Sequence, residues 1–389
     1  MADSKLTRRE FVRDMAVAAG VAAGLKPTYT VHAGNPEEAD TNQILNYNEQ
    51  MEYRRGGKTD LMFSAVCLGG HWKRVDAVVP GLFQGGSWLS AALDSQDFLE
   101  NRTEVVSRCI DRGINFIDAC TREEVIMYAR ALRGRREKMY FGYSWYQNEV
   151  RNANWRSFES LKRSFDNGLK EAGLDYVDVW RITMHEQSSR HTEAEVDEMM
   201  KALDWAKESG RARFTGISSH DRPHIKWMVE TYPDQMEVVV TPYSARTRMA
   251  GVEVVEEAEE GRSAGYVGQM AEGAAPLWRT FQEYDVAWFG IKPFASNALF
   301  KGNSAPGNPH EEEDNRIARL TIRAILTNPA ITAPIPGMIT PEQVDNVSLA
   351  VLQRRALDVQ ERADLQEATD RAFANLPARY QWLKDWDFI

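Results

Sequence analysis

The chain has 389 residues and is acidic, with 57 Asp and Glu residues against 47 Lys and Arg. Both signs are interspersed along the chain, and the formal charge of −10 argues against nucleic acid as the main partner. Its three cysteines, Cys67, Cys109 and Cys120, include no CxxC pair, so we expect no thiolate-ligated iron–sulfur cluster. The odd count argues against a disulfide framework and favours buried free thiols.

Residues 1–33 have the form of a twin-arginine signal peptide. The pair Arg8-Arg9 precedes an Ala/Gly/Val run over residues 16–25, which is too short to span a bilayer. We therefore expect the twin-arginine export machinery to be a partner and the protein to be periplasmic or extracytoplasmic. The alternative is a frayed amphipathic N-terminus. Residues 34–50 are polar and are predicted to be extended.

The next segments predict a hairpin, a long loop and a buried strand. Residues 51–67 predict a β-hairpin around a Gly-Gly/Thr-Asp turn, and residues 68–72 end the following strand. Residues 73–101 are rich in Gly, Pro and Ser and are predicted to form an ordered lid loop. Gly113–Asp118 is a short apolar run that ends in a carboxylate. This pattern is typical of a buried parallel strand with chemistry at its carboxyl end.

Strands and helices alternate along the rest of the chain. Further strands are predicted at 139–143, 176–182, 214–218, 236–240, 286–291 and 331–335. Helices are predicted at 104–112, 123–133, 155–172, 193–209, 223–231, 276–283, 315–327 and from Pro341 onwards. These units predict a closed (β/α)8 TIM barrel over residues 51–355, with a doubly wound open sheet as the alternative. Residues 246–273 form an acidic insertion, and 356–389 predict a C-terminal helix with an aromatic tail that docks on the barrel.

Thr340-Pro341-Glu342-Gln343 predicts a capped helix N-terminus after the last strand. Thr340 occupies the N-cap position, Pro341 is the first helical residue, and Gln343 completes a capping box. Such a terminus is a ready anion site, and Gly337 before it allows another backbone to come close. Any well-capped helix has the same pattern, so a purely structural role is the alternative.

Four segments, in barrel order, resemble the aldo-keto reductases. Residues 51–59 resemble that family's opening hairpin, Gly113–Asp118 its Gly-Ile-Asn-x-x-Asp, 210–218 its Gly-Lys-x-Arg-x-x-Gly-x-Ser, and 335–346 its nucleotide-phosphate segment. The resemblance implies a TIM barrel that moves a hydride between NAD(P) and a carbonyl or alcohol, with a carbohydrate as a candidate substrate. The cofactor-binding residues that it implies are Ser218, Ser219, Tyr243, Lys292, Gly337, Thr340, Gln343 and Asn346.

The catalytic set of that family is Asp, Tyr, Lys and His, and most of it is missing here. Asp118 matches the Asp, but the loop after it holds no Tyr. Ser144 stands where the resemblance places the Lys, and Thr183 where it places the His. His185, two residues further on, is the candidate catalytic base. We expect Asp118 to pair with His185, and Arg122 is the alternative partner.

Four more side chains follow predicted strand ends or lie near them, and they are candidates for a substrate pocket. They are His71, Trp72, Trp145 and His220. Aromatic faces suit sugar rings, although most barrel tryptophans are packing residues. The histidines come from scattered strands without HxH or HxxxH spacing, so no metal site is predicted. The alternatives to a redox enzyme are a lyase or isomerase and a barrel that binds without catalysis. The sequence predicts no particular oligomeric state.

Overall fold

The computed structural model describes residues 41–247, 276–353, 356–386 and 389. The first two strands in these residues form a β-hairpin. Strand β1 (Tyr53–Arg55) pairs antiparallel with β2 (Met62–Ser64). The Phe63 ring lies inside the barrel, at 5.2, 5.4 and 5.1 Å from the ring centroids of Phe116, Tyr140 and Phe289. The hairpin therefore closes the N-terminal end of the barrel with an aromatic plug.

Parallel strands follow the hairpin and form one sheet in chain order. They are β3 (Leu68–Gly69), β4 (Phe116–Ala119), β5 (Tyr140–Tyr143), β6 (Val177–Thr183), β7 (Ala212–Ser218), β8 (Val238–Pro242), β9 (Ala287–Ile291) and β10 (Ala333–Pro334). The amides of Cys67 and Gly69 donate to the carbonyls of Pro334 and Pro336 at 3.1 and 2.8 Å, which joins the first strand of this sheet to the last. The predicted (β/α)8 barrel with an N-terminal hairpin and a C-terminal helical extension is confirmed.

Helices surround the sheet in the described part of the chain. They are α1 (Gln96–Asp111), α2 (Arg122–Ala131), α3 (Phe158–Ala172), α4 (Glu193–Glu208), α5 (Arg222–Thr231), α6 (Leu277–Glu283), α7 (Glu311–Leu326), α8 (Pro341–Leu352) and α9 (Val359–Ala374). Most of the core lies between the sheet and these helices, and a smaller aromatic and aliphatic cluster fills the barrel interior.

Helix α1 begins eight residues before the predicted start at residue 104. The Ser95 hydroxyl accepts a hydrogen bond from the Phe98 amide, which makes Ser95 the N-cap. The Ser-rich composition of residues 73–101 favoured a loop, so Ser95 was not recognised as the N-cap of a helix. The loop that remains, residues 73–95, contains two short 3-10 turns at Val75–Ala77 and Trp88–Ser90.

A C-terminal segment, the 3-10 helix Ala378–Trp386, crosses the carboxyl ends of several strands. The Lys73 amine donates to the Tyr380 hydroxyl, and the Trp382 ring stacks on His220 with centroids 4.0 Å apart. The Thr247 hydroxyl donates to the Trp386 carbonyl at 2.9 Å. This segment therefore covers part of the barrel mouth, where enzymes of this architecture place their active sites.

Two sequence predictions fall on other parts of the chain. The predicted signal peptide and residues 34–40 of the predicted extended segment lie outside the described residues, and so does most of the acidic insertion, in residues 248–275. The prediction of extended structure is wrong for residues 41–50, which contain the 3-10 helix Thr41–Gln43 and turns. Among the described residues, no helix has the length and apolar character needed to cross a membrane.

Candidate active site

Asp118 lies inside the barrel and is bound by Arg181. Both residues are almost fully buried. Arg181 Nε donates to Asp118 Oδ1 and Arg181 Nη2 donates to Asp118 Oδ2, each at 2.7 Å, so the pair is bidentate. Burial alone would lower the pKa of Arg181. The Asp118 carboxylate opposes the effect of burial, and the net result is a raised pKa. Asp118 is therefore held as a paired carboxylate.

The predicted pairing of Asp118 with His185 is wrong, and so is the alternative with Arg122. The His185 ring faces Arg156, whose Nη2 lies 3.4 Å from His185 Nε2, and Arg122 pairs with Glu171. Arg181 is two residues before Thr183 on β6, so the two side chains share the inner face of the strand. That parity was visible in the sequence, but it does not distinguish Arg181 from His185, which lies two residues beyond Thr183.

The two positions where the resemblance places Lys and His carry hydroxyls that are bonded to each other. Ser144 Oγ and Thr183 Oγ1 are 2.8 Å apart. Glu149 Oε2 accepts from Ser144 Oγ at 2.6 Å and from the Thr183 amide at 2.9 Å, and its other oxygen accepts from Trp180 Nε1 at 3.1 Å. Burial raises the pKa of Glu149 against the effect of these donors. This part of the barrel is a satisfied polar network that holds no lysine or histidine.

Two amines and a phenol meet at the mouth. Lys73 Nζ donates to Ser296 Oγ at 2.7 Å as well as to the Tyr380 hydroxyl. Burial and the Arg379 guanidinium lower the pKa of Lys73 to about 8. Burial and the neighbouring Lys73 ammonium lower the pKa of Lys292 to about 8. The sequence pointed to Lys292, but it gave no sign that a tyrosine from the C-terminal segment would join it.

His71, Cys120 and Glu124 form a second group at the same edge of the sheet. His71 Nδ1 is 2.9 Å from Glu124 Oε1, and Cys120 Sγ is 3.7 Å from each ring nitrogen of His71. Potential ligand atoms of the three side chains all lie within 4.8 Å of one another. Burial lowers the pKa of the His71 imidazole and raises the pKa of the Cys120 thiol well above its usual range.

Of the predicted pocket residues, the structure places His71 and His220 at the mouth, and two tryptophans elsewhere. Trp72 is 1% exposed and packs against Phe98 and Tyr128 at 5.0 and 5.3 Å between ring centroids. Trp145 is 4% exposed, and a Cβ at Gly168 of α3 would lie 2.7 Å from its ring. Neither indole has a free face for a sugar, because both rings are used in packing under the helices.

Helix α8 begins after the predicted N-cap Thr340, but Gln343 does not complete the predicted capping box, because its side chain bonds the amide of Ile339 and not that of Thr340. Thr340 Oγ1 accepts from the Gln343 amide at 3.3 Å, and Gln343 Oε1 accepts from the Ile339 amide at 2.9 Å. The fully buried Arg102 donates to the carbonyls of Met338 and Ile339 at 2.9 and 2.8 Å. This guanidinium behind the loop fixes its backbone, and the sequence showed no sign of it because Arg102 lay between the predicted lid, residues 73–101, and the predicted helix start at residue 104.

The other predicted cofactor residues divide into separate groups. Gly337 packs on β3, since a Cβ there would lie 2.9 Å from the His71 carbonyl. Asn346 accepts from Arg319 and donates to the Asn315 carbonyl. Ser218 is buried at the end of β7, and Ser219 Oγ donates to Ser188 Oγ at 2.7 Å.

Tyr243 lies apart from the mouth. Its ring packs edge-to-face on Trp288 with centroids 5.2 Å apart, and its hydroxyl accepts from Asn328 Nδ2 at 3.1 Å. The ring is buried in the layer between the sheet and the helices. The tyrosine predicted to contact the cofactor is therefore used in packing.

Comparison with known proteins bears on this site. Residues 86–261 match the model of the Aldo/keto reductase family. The chain is 24% identical over 205 residues to the L-glyceraldehyde 3-phosphate reductase of Escherichia coli K12. This alignment covers 46% of this chain and 49% of that enzyme. The same figures hold for the L-glyceraldehyde 3-phosphate reductase of Escherichia coli O157:H7. The chain thus spans about half the length of the curated relatives that it matches.

Solved structures extend the likeness of fold over most of the chain. An aldo-keto reductase from Bacillus halodurans in its holo form aligns with a TM-score of 0.53 at 18% identity, over 82% of this chain and 96% of that chain. An aldo/keto reductase from Brucella melitensis aligns with a TM-score of 0.51 at 16% identity, over 82% of this chain and 99% of that chain. At these identities the likeness shows the fold alone.

Proposed function

We propose that the chain is an oxidoreductase that transfers a hydride between a nicotinamide cofactor and the carbonyl or alcohol group of a small hydroxylated substrate, with carbohydrates as the candidate class. The observation that carries this proposal is the hydrogen bond between the Lys73 amine and the Tyr380 hydroxyl at the barrel mouth. The reductase relatives and the match to the aldo/keto reductase model over residues 86–261 support the redox class.

The dinucleotide, when bound, supplies the hydride. The α8 N-terminus, with Thr340 and Gln343, would bind its phosphates, because a helix N-terminus favours anions. The Lys292 amine at the end of β9 adds a positive charge at the mouth. Met338 and Ile339 offer no side-chain cation for an extra phosphate. The choice between NAD and NADP is therefore left to titration.

Hydride delivery leaves negative charge on the carbonyl oxygen, which must receive a proton. The Tyr380 hydroxyl accepts a hydrogen bond from the Lys73 ammonium, and both groups act electrostatically on the Lys292 amine. The tyrosine can give its proton to the substrate while the ammonium stabilises the phenolate that forms. The Asp118–Arg181 pair lies below and presents no free carboxylate to the substrate.

The test begins with binding. We expect purified full-length protein to quench or shift the fluorescence of NADH or NADPH on titration, and to oxidise one of them with a panel of small sugar aldehydes. Tyr380→Phe should lower kcat roughly a hundredfold, the scale of positioned acid–base catalysis, with an unchanged Kd for the nicotinamide. Tyr232→Phe is the matched control, since the Tyr232 hydroxyl bonds Asp197 on the helical surface.

Absence of binding of both nicotinamides, by titration and by mass spectrometry of the native protein, would refute the redox function. Cofactor binding with a fully active Tyr380→Phe variant would keep the redox class and reject Tyr380 as the proton donor.

We also propose export by the twin-arginine route, supported by Arg8-Arg9 and the apolar run over residues 16–25. Replacing both arginines with lysine should retain the protein in the cytoplasm, as measured by cell fractionation. Replacing Lys5 with arginine is the matched control and should leave export intact. Unchanged export of the double-lysine variant would disprove this route.

A further inference from the structure

We propose that His71, Cys120 and Glu124 bind a divalent transition-metal ion, zinc in the first instance, with one coordination position open to the barrel mouth. Nothing in the proposed hydride transfer requires this ion, and the inference stands on the geometry of the three side chains. They supply nitrogen, sulfur and oxygen donors, which is the ligand set that zinc accepts.

The distances suit a single ion. Zinc–ligand bonds of about 2.0–2.3 Å in a tetrahedral arrangement place ligand atoms roughly 3.3–3.6 Å from one another. Here His71 Nδ1 lies 3.7 Å from Cys120 Sγ and 2.9 Å from Glu124 Oε1, and potential ligand atoms of all three side chains lie within 4.8 Å. Side-chain rotations that move the ligand atoms by about an ångström would bring all three around one ion.

The backbone holds the ligands in place. Cys120 and Glu124 are four residues apart where β4 leads into α2, and His71 follows β3, the neighbouring strand. The second oxygen of Glu124 accepts from the Cys120 amide at 2.7 Å, so one oxygen is anchored and the other faces His71. A Cβ at Gly70 would lie 2.3 Å from that anchored oxygen, and the glycine therefore leaves the space that the carboxylate occupies.

Exposure identifies the open side of the site. The Glu124 side chain is fully buried and Cys120 is 8% exposed, whereas the His71 side chain is 36% exposed. Three protein ligands with one accessible side are the pattern of catalytic zinc sites, which keep a position for water or substrate. The accessible side is on the mouth that contains Lys73 and Lys292.

Charge balance allows an ion so close to two lysines. Metal binding displaces the Cys120 proton and leaves a thiolate. The thiolate and the Glu124 carboxylate then neutralise the two positive charges of the ion, so its net effect on the lysines is small. Of the three cysteines, Cys67 and Cys109 are completely buried in the core, and only Cys120 reaches this edge.

The test uses purified full-length protein, stripped with a chelator and titrated with Co²⁺. We expect one equivalent to bind and to give a near-ultraviolet thiolate-to-cobalt charge-transfer band, which Zn²⁺ then abolishes by displacement. Cys120→Ser should remove the band. His71→Ala, at a partly exposed position, should weaken Co²⁺ binding by at least about a hundredfold, beyond the usual effect of an outer-shell partner.

Cys109→Ala is the matched control, because it removes a thiol from α1 and should leave both the band and the affinity unchanged. Circular dichroism of each variant confirms that the barrel is intact. A wild-type protein that gives no charge-transfer band, a band that persists in Cys120→Ser, or full affinity in His71→Ala would each overturn the proposal. Because binding is read from the cobalt spectrum, these outcomes are distinct from loss of nicotinamide binding, which concerns the proposed reductase function.

Discussion

Arg181 determines what Asp118 can do. The carboxylate resembles a catalytic residue of the aldo-keto reductases by sequence, but both of its oxygens accept hydrogen bonds from one guanidinium. Taking two charges out of water is costly, and their mutual attraction and hydrogen bonds offset that cost only while both partners are present. The pair is therefore a structural requirement of the barrel interior, and neither residue is free to act as an acid or a base.

Arg181→Met should lower the free energy of unfolding by about 3–5 kcal/mol, because it leaves the Asp118 charge buried without a partner. The measurement is urea unfolding at neutral pH. Arg112→Met is the matched control, since its ion pair with Asp345 is partly exposed on both sides, and it should change stability little. The combined Asp118→Asn and Arg181→Met variant should regain part of the loss. Equal stability of Arg181→Met and wild type would contradict this account.

At the scale of elements, the connection between β6 and α4 contains a buried histidine. His191 is 5% exposed, and its ring lies 5.2 Å from that of His185 between centroids. Burial, together with the charges of Arg156 and His185, lowers the pKa of His191 to about 4, while Glu195 acts in the opposite direction. The folded state therefore holds His191 neutral over a range in which the unfolded chain protonates it.

This difference predicts a loss of stability in mild acid. Since the folded pKa of His191 is below the unfolded value of 6.5, the stability that depends on His191 falls as pH decreases from about 6.5 to about 4, and this contribution changes no further below that. The contribution is up to about 3 kcal/mol. Thermal or urea unfolding of His191→Gln should show a shallower decline over this window. His310→Gln, at an exposed position, should follow the wild-type curve, and identical curves for all three proteins would rule the effect out.

The elements that were predicted well are those with strong local signals. Gly113–Asp118 and the capping residue Thr340 follow from apolar runs, turn glycines and N-cap chemistry, and the structure contains both. The start of α1 was missed because Ser95 lies within a loop-like composition. The β6 strand showed that Arg181 and Thr183 share a face, but the choice of Arg181 over His185 as partner depends on which charge reaches Asp118 across the barrel.

At the scale of the whole molecule, the sequence could not show which distant segments meet at the mouth. Tyr380 is more than 300 residues from Lys73, and their hydrogen bond depends on the path of the C-terminal segment across the barrel. Likewise, His71 and Glu124 lie on different strand–helix units and meet because β3 and β4 are neighbours. Such contacts follow from topology and packing, which local periodicity does not encode.

The covering of the mouth by residues 378–386 has a consequence for the order of events during synthesis. The barrel strands run from Leu68 to Pro334, so all of them leave the ribosome before Tyr380 does. A chain paused after β10 contains every barrel strand, but it has no phenol beside Lys73 and lacks core residues of the C-terminal segment such as Leu383 and Trp386. If Tyr380 is the proton donor, such a nascent chain cannot react. A segment made after all of the barrel strands then acts as a check, because only chains extended through residues 378–386 can process substrate.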